Sequence, residues 1–242
     1  MNKFLFIICL LCCTNAMAAT NCIKVQLNYN WEDFFPTFIK KHNAYYQARA
    51  SQIKPHDRAA VLKSIRLFKS AYPQKIICSA LKEIRVAKRL SYHGLVYGGT
   101  YYKNIIFLRY DSKDDDITTA TKMLHHEFAS ILLKKYFLRF PWHTFERISS
   151  KNYSSKNGGL DLLSDSINDS SHSGYWKEGF LTKYGASSID NDMSVYAEHL
   201  FVMPQKLQRL KKKYPIIKKK TALIIGFYCS LSKSFSFCDK RP

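Results

Sequence analysis

Apolar residues recur every three or four positions in several stretches of the chain, which is the period of an amphipathic helix. The stretches predicted to be helical are Trp31–Ala50, Asp57–Ser70, Ile117 to about Leu138, and about Asp190 to Met203. The third stretch follows Asp114-Asp115-Asp116, whose carboxylates can accept hydrogen bonds from the free amides of a first helical turn. Pro204 is expected to end the fourth helix.

The pattern changes between the second and third helices. From Ile84 to Tyr110, β-branched and aromatic residues dominate, and glycines at Gly94 and Gly98-Gly99 interrupt them. This texture predicts two or three strands, the last over Lys103–Tyr110. Helices before and after a few strands predict an α+β fold with a small mixed sheet. The Ser-, Asn-, Asp- and Gly-rich residues from Ser149 to Gly174 are expected to form a long loop.

The N-terminus has the layout of a secretory signal. Lys3 precedes the apolar run Phe4–Cys13, and Ala16-Met17-Ala18 gives a small-residue cleavage site. We therefore expect a signal peptide over residues 1–19, one domain over residues 20–242, and a periplasmic or secreted protein. Lipid attachment at Cys12 or Cys13 is left open. No later apolar run reaches the roughly 20 residues of a membrane helix, so no transmembrane span is expected in the mature chain.

Cleavage after residue 19 would leave an even number of cysteines, which in an exported chain favours disulfides. They are Cys22, Cys78, Cys229 and Cys238. Three pairings are open. Cys229 and Cys238 are close in sequence and both follow aromatic residues, so they are the favoured pair, which would leave Cys22 with Cys78.

The charge balance is strongly basic. The chain has 38 Lys and Arg against 18 Asp and Glu, a formal net charge of +20. Cations concentrate in Lys206–Lys220, where there is no acid. This segment fits either a solvated helix face or a surface for an anionic or acidic partner. Nucleic acid is not expected as the partner of an exported protein.

One pair of residues suggests metal chemistry. His126-Glu127 lies on the third predicted helix and fits the first half of the H-E-x-x-H pattern, in which two imidazoles one turn apart bind zinc. The position of the second histidine is Ser130. Taken alone, the pair fits a buried or capped histidine on a core helix better than a metal site.

Two later motifs extend this pattern. Tyr184-Gly185 is followed by a helix that carries Tyr196-Ala197-Glu198. With His126-Glu127-Phe128, they make the chain resemble the putative zinc-binding metallopeptidases of exported bacterial proteins, which are distantly similar to the catalytic domain of anthrax lethal factor. The resemblance covers roughly Leu81–Phe201.

The resemblance implies a zincin-like fold, with an active-site helix and a later ligand helix, and hydrolysis of a peptide or protein substrate by metal-activated water. His126 would bind zinc and Glu127 would act as the general base. Glu198 would be the carboxylate ligand, and Tyr184 would stabilise the oxyanion.

The sequence departs from the family pattern at two ligand positions. The later family helix often reads E-x-x-A-E, and aligning Ala197-Glu198 with its end puts Ser194 where the first glutamate ligand is expected. Three interpretations follow. Glu198 replaces that ligand, with His125 or His199 contributing; or the metal differs or binds weakly; or the site is inactive. The third gives the alternative function, a catalytically inactive zincin-fold protein that binds an acidic partner through its basic surface.

Overall fold

A computed structural model describes residues 22–29, 31–149, 153–154 and 171–238 of the chain. The expected signal peptide, residues 1–19, lies outside the described residues, as does most of the loop expected over Ser149–Gly174. The single domain expected over residues 20–242 therefore stays a prediction.

Helices make up most of the regular structure. They are α1 Trp31–Phe34, α2 Thr37–Lys41, α3 Asn43–Tyr46, α4 Arg58–Ser70, α5 Gln74–Ala80, α6 Ile117–Lys135, α7 Trp142–Ile148, α8 Ser173–Glu178, α9 Ile189–Val202, α10 Pro204–Lys213 and α11 Pro215–Leu231. The strands are β1 Lys24–Gln26, β2 Arg49–Ser51, β3 Glu83–Ala87, β4 Arg89–Tyr92, β5 Leu95–Val96, β6 Gly99–Tyr102 and β7 Ile105–Arg109.

The strands form two small sheets. The larger has the order β1-β3-β7-β6, in which β6 is antiparallel to β7 and the other pairs are parallel. The smaller is antiparallel, with the order β2-β4-β5. The predicted α+β class with a small mixed sheet is thus confirmed. Strand β6 is at one edge of the larger sheet.

The prediction of two or three strands between Ile84 and Tyr110 was wrong, because that region carries five. The strands are short and joined by tight turns. His93 and Gly94, between β4 and β5, both have positive φ (50° and 78°), as in the two-residue turns that join hairpin strands. Lys103 (φ 56°) lies in the turn between β6 and β7.

The single helix predicted over Trp31–Ala50 was also wrong. The segment breaks into α1, α2 and α3 and then enters strand β2. Pro36, which lacks an amide hydrogen, lies directly before α2, and Gln47 ends α3 in the left-handed conformation at φ 47°. These two positions interrupt an otherwise helical apolar pattern.

The start of α6 and both ends of α9 were predicted to within one residue, whereas α6 ends at Lys135, three residues before the predicted Leu138. Asp116 caps α6, because its carboxylate accepts a hydrogen bond from the Thr119 amide at 2.6 Å. Ser188 caps α9 by accepting from the Asn191 amide at 3.2 Å. Pro204 follows the end of α9, as expected, and is the first residue of α10. The two helices pack against each other in the main core of the described residues.

Both favoured disulfides are present. Cys22–Cys78 joins the segment before β1 to α5, and Cys229–Cys238 joins α11 to the turn that follows it. In the part of the chain that the structure describes, no helix is long and apolar enough to cross a membrane.

The basic segment is not uniformly solvated. Most of its cations are exposed or half-buried, but Lys220 is completely buried and pairs with the buried Asp192 of α9. Its ammonium also lies over the rings of Phe145 and Phe180, at 4.9 and 4.4 Å from their centroids. Lys220 therefore joins α11 to α9 within the core.

Candidate functional site

A cavity of about 260 Å³ opens between strand β6 and helices α6 and α9. All four residues proposed from the sequence line it: His126, Glu127, Tyr184 and Glu198. The remaining lining residues are Val96, Tyr97, Gly98, Gly99, Thr119, Lys122, Met123, Thr182 and Val195. The fold thus brings together residues that are up to 72 positions apart in sequence.

His126 and Glu198 form the strongest polar contact in the cavity. His126 Nδ1 lies 2.7 Å from Glu198 Oε1, and both side chains are buried. Burial works to lower the pKa of His126, but the hydrogen bond and the negative charge of Glu198 raise it above the ordinary value. The imidazole donates its Nδ1–H to the Glu198 carboxylate. Lys122 Nζ lies 3.6 Å from the other oxygen of Glu198.

Glu127 is buried beside this pair and faces strand β6. A Cβ atom placed on Gly99 would lie 3.1 Å from Glu127 Oε1, so the strand approaches the carboxyl group closely. Burial raises the pKa of Glu127 to about 7, although the charge of His126 opposes the shift. Near neutral pH this carboxyl group can therefore either donate or accept a hydrogen bond.

Tyr184 closes the other side of the cavity. Its ring centroid is 5.7 Å from that of His126. The residue precedes a short 3-10 turn over Gly185–Ser187, which is fixed by a 3.0 Å hydrogen bond from the Gly185 amide to Thr182 Oγ1. Burial raises the pKa of Tyr184 above its ordinary value, so the phenol keeps its proton and can act as a donor.

Ser130 and Ser194 lie one helical turn from the His126–Glu198 pair, on α6 and α9. Their hydroxyl oxygens are 3.0 Å apart, and both side chains are buried. These are the two positions where the family pattern expects a second histidine and a glutamate ligand. One hydroxyl donates and the other accepts, so each oxygen has a hydrogen-bond partner within the protein.

The histidines considered as substitute ligands lie elsewhere. His125 Nδ1 is 2.9 Å from the Tyr72 hydroxyl, its ring stacks on Phe201 at 4.7 Å, and burial lowers its pKa to about 3. His199 donates from Nδ1 to the Val195 carbonyl at 2.9 Å. Neither lines the cavity, so the idea that they complete a ligand set there has no support from their positions.

The donor set does not fit zinc. Catalytic zinc sites use three protein ligands from His, Cys, Asp or Glu. Among the described residues, no group of three or more such side chains could hold a metal ion. The cavity offers His126 and Glu198, which are hydrogen-bonded to each other, and the next turn offers two hydroxyl groups, which are weak zinc donors compared with imidazole or carboxylate.

Sequence reasoning missed two charged residues of the site. Lys122 lies one turn before His126 on the same face of α6, and that spacing was the available signal. Asp190, in the first turn of α9, raises the pKa values of His126 and Glu127 through its charge. Its role depends on how α9 docks, which no local pattern encodes.

Comparisons with known proteins give the same family as the motifs. A family model described as "Putative zinc-binding metallo-peptidase" matches residues 46–231. Among solved structures, a putative zinc-binding metallo-peptidase from Bacteroides caccae ATCC 43185 is 16% identical, with 90% of this chain and 87% of that chain covered and a TM-score of 0.48. No curated protein matches the chain.

Proposed function

Because the chain belongs to the putative zinc-binding metallo-peptidase family, we propose that it binds an extended polypeptide in the peptidase cleft without hydrolysing it through zinc. One observation carries this proposal. The two departures from the family ligand pattern, Ser130 and Ser194, face each other at 3.0 Å, so that one hydroxyl donates a hydrogen bond to the other. The substitutions are therefore matched, and they form a stable polar contact where ligands are expected.

The cleft is suited to an extended chain. Strand β6 pairs with β7 on one side, and among the described residues no strand pairs with its other side. A free strand edge can hydrogen-bond an added strand through main-chain groups. Gly98 and Gly99 at the start of β6 line the cavity, so a chain added there would pass directly over Glu127.

The polar groups of the cavity can recognise a peptide main chain. Tyr184 and Lys122 are donors, and Glu127 can donate or accept near neutral pH. Carbonyl and amide groups of a bound segment would replace the water that otherwise solvates these side chains. Val96, Met123 and Val195 supply apolar contacts for its side chains.

Hydrolysis is the second candidate, and the state of Glu127 favours it. A carboxyl group with a pKa of about 7 in a cleft has the property of a general base. In this version, His126 and Glu198 would be the zinc donors and Tyr184 the oxyanion donor. It requires a third metal donor, which the described residues do not provide.

We also propose that the protein is exported and that its basic helices contact an anionic partner. The two disulfides support an oxidising compartment. Arg209, Lys212 and Lys218 are exposed on α10 and α11, where no acidic residue opposes them. Intact-mass analysis of secreted or periplasmic protein would detect a mature chain that begins near Ala19 or Thr20.

A binding and cleavage assay separates the two candidates. A fluorescently labelled mixture of unstructured peptides is titrated with the protein, and the same samples are examined for fragments by mass spectrometry, with and without added zinc. We expect saturable binding and intact peptides in both conditions. Zinc-dependent fragments that disappear in Glu127→Gln would instead establish hydrolysis.

Cleft occupancy is tested by the glycine at the mouth of the cavity. In Gly99→Leu, the new side chain would displace Met123, whose Cγ would be 2.6 Å from the added Cβ, and would crowd Glu127. We expect peptide binding to weaken about tenfold or more. The matched control is Gly226→Leu, at an exposed position of α11 where an added Cβ meets nothing within 4 Å. Equal binding by both variants would place the peptide outside this cleft.

A further inference from the structure

An apolar tip projects into solvent at the C-terminal end of α6. Leu138 is 96% exposed and Phe137 is 56% exposed. They lie in a 3-10 turn, Phe137–Arg139, directly after the end of α6. Exposure of large apolar side chains to water is unfavourable, and their burial against another apolar surface would be favourable.

Contacts of the neighbouring residues hold this apolar tip, Phe137 and Leu138, in its exposed position. Phe140, next in sequence, is buried against Phe227 at 5.4 Å. Trp142 stacks on Phe137 at 5.1 Å, and its indole N–H donates to the Phe137 carbonyl at 2.9 Å. Because the residues on both sides of Leu138 are anchored, its side chain cannot turn into the core without breaking these contacts.

Cations lie close to the tip along the chain, because Lys134 and Lys135 end α6 just before it. These two lysines also line a hollow of about 450 Å³ together with Lys103, Ser79 and Asn104. The ammonium groups of Lys134 and Lys103 lie over the rings of Tyr101 and Tyr102, at 4.6 and 5.4 Å. In the described part of the chain, none of these lysines forms a salt bridge with a carboxylate.

We propose that this end of the molecule docks on an anionic phospholipid surface, with Phe137 and Leu138 entering the interface and the lysines contacting phosphate groups. Two features match that partner. The apolar residues form a small protruding turn rather than a flat face, and the lysines that end α6 directly precede it. Phe, Leu and Trp beside Lys and Arg are the side chains that bind membrane interfaces.

A protein partner or a second copy fits less well. An interface between proteins buries a broad, complementary area, and a single protruding turn offers little of it. A soluble polyanion would use the lysines and leave Leu138 in water. These alternatives are outcomes of the experiment below.

Vesicle co-sedimentation tests the proposal. Purified full chain is mixed with vesicles of phosphatidylcholine alone or with phosphatidylglycerol added, and the bound fraction is measured against lipid concentration. We expect binding to the anionic vesicles, about tenfold or more weaker on phosphatidylcholine alone. Phe137→Ser with Leu138→Ser should weaken binding about tenfold or more, and Leu67→Ser, a 48% exposed leucine on α4, should leave it unchanged.

Charge-matched variants distinguish local contact from the overall basic charge. Lys103→Gln with Lys134→Gln should weaken binding about tenfold, whereas Lys40→Gln with Lys41→Gln, exposed on α2 and outside the basic α10–α11 surface, should change it less than about twofold. Leu138→Ser alone repeats the test without disturbing the Trp142 stack. The proposal is overturned if wild type ignores anionic vesicles, if the tip variants bind as wild type does, or if both lysine pairs matter equally. It is also overturned if the tip variants lose a dimer rather than vesicle binding.

Discussion

At the residue scale, the candidate site differs from a zinc site in its partnerships more than in its position. His126 has Glu198 as a hydrogen-bond partner, and Ser130 has Ser194, so each potential ligand on α6 is already paired with α9. Glu127 is the exception. It is buried, burial raises its pKa to about 7, and the positive charge of His126 only partly opposes that shift. Its charge therefore changes between mildly acidic and neutral pH.

Replacing Glu127 should alter how stability depends on pH. The folded-state pKa of about 7 exceeds the ordinary value of 4.5, so from pH 4.5 to 7 the unfolded chain releases a proton that the folded chain keeps. Stability from this group is present below pH 4.5 and is lost as pH rises through that window. Glu127→Gln has no such group, so relative to wild type it should gain up to about 3 kcal/mol by pH 8 and nothing at pH 4.

Urea denaturation at pH 4, 6 and 8 measures this difference. The control is Glu146→Gln, an exposed residue on α7, whose effect should be small and independent of pH. If wild type and Glu127→Gln keep a constant difference across the three pH values, the pKa of the carboxyl group is the same in the folded and the unfolded chain, and the predicted shift is wrong.

At the element scale, the site depends on the docking of α6 and α9, and α11 fixes α9 from behind. The buried Lys220 of α11 pairs with Asp192, which also accepts a hydrogen bond from Tyr153 at 3.0 Å. Burial raises the pKa of Asp192 to about 6, although Lys220 opposes the shift. The pair therefore orients the helix that carries Ser194 and Glu198.

Removing the lysine should destabilise the protein strongly. Lys220→Met leaves the Asp192 carboxylate buried without its counter-ion, which costs about 3–5 kcal/mol. Because Asp192 can then take up a proton, the loss should be smaller at pH 5 than at pH 8. Lys219→Met, at the neighbouring exposed position, should change stability by less than about 0.5 kcal/mol. Equal, small losses in both variants would show that Asp192 finds another partner or water.

Sequence patterns predicted some of the helices and strands correctly and others wrongly. Helices α6 and α9 have strong caps, Asp116 and Ser188, and apolar residues on a continuous face, so their starts could be predicted. The prediction of a single helix over Trp31–Ala50 was wrong because Pro36 and Gln47 interrupt the segment. The predicted number of strands was wrong because each strand is only a few residues long. In so short a segment, an alternation of apolar and polar residues cannot be recognised.

At the scale of the whole molecule, the candidate site is formed by segments that are distant in sequence. Sequence patterns identify its residues but do not give the contacts between them. The motifs identified His126, Glu127, Tyr184 and Glu198 as neighbours, and the fold places all of them on one cavity. The same resemblance put Ser130 and Ser194 at two ligand positions, but it could not show that their hydroxyl groups form a hydrogen bond, because that contact depends on the exact register of two helices joined by more than fifty residues. The exclusion of His125 from the cavity follows from the same register.

The disulfides should contribute unequally to the stability of the whole chain. Cys22–Cys78 closes a loop with a sequence separation of 56, whereas Cys229–Cys238 closes one of 9. The longer loop restricts the unfolded chain more, so Cys22→Ala with Cys78→Ala should cost about 4 kcal/mol and Cys229→Ala with Cys238→Ala about 3 kcal/mol. Urea denaturation of the two variants measures both values. A larger loss for the shorter loop would show that native packing around α11, not chain entropy, dominates.

The zinc content of the purified protein tests the central claim most directly. We measure bound zinc per chain by mass spectrometry after equilibration with zinc and removal of the free ion, for wild type, Ser130→His, and Ser130→His with Ser194→Glu. The double variant restores the family donors beside His126, so it should hold about one zinc, while wild type should hold none in stoichiometric amount. One zinc per wild-type chain, lost in His126→Ala, would contradict this account and would indicate a metal-dependent peptidase.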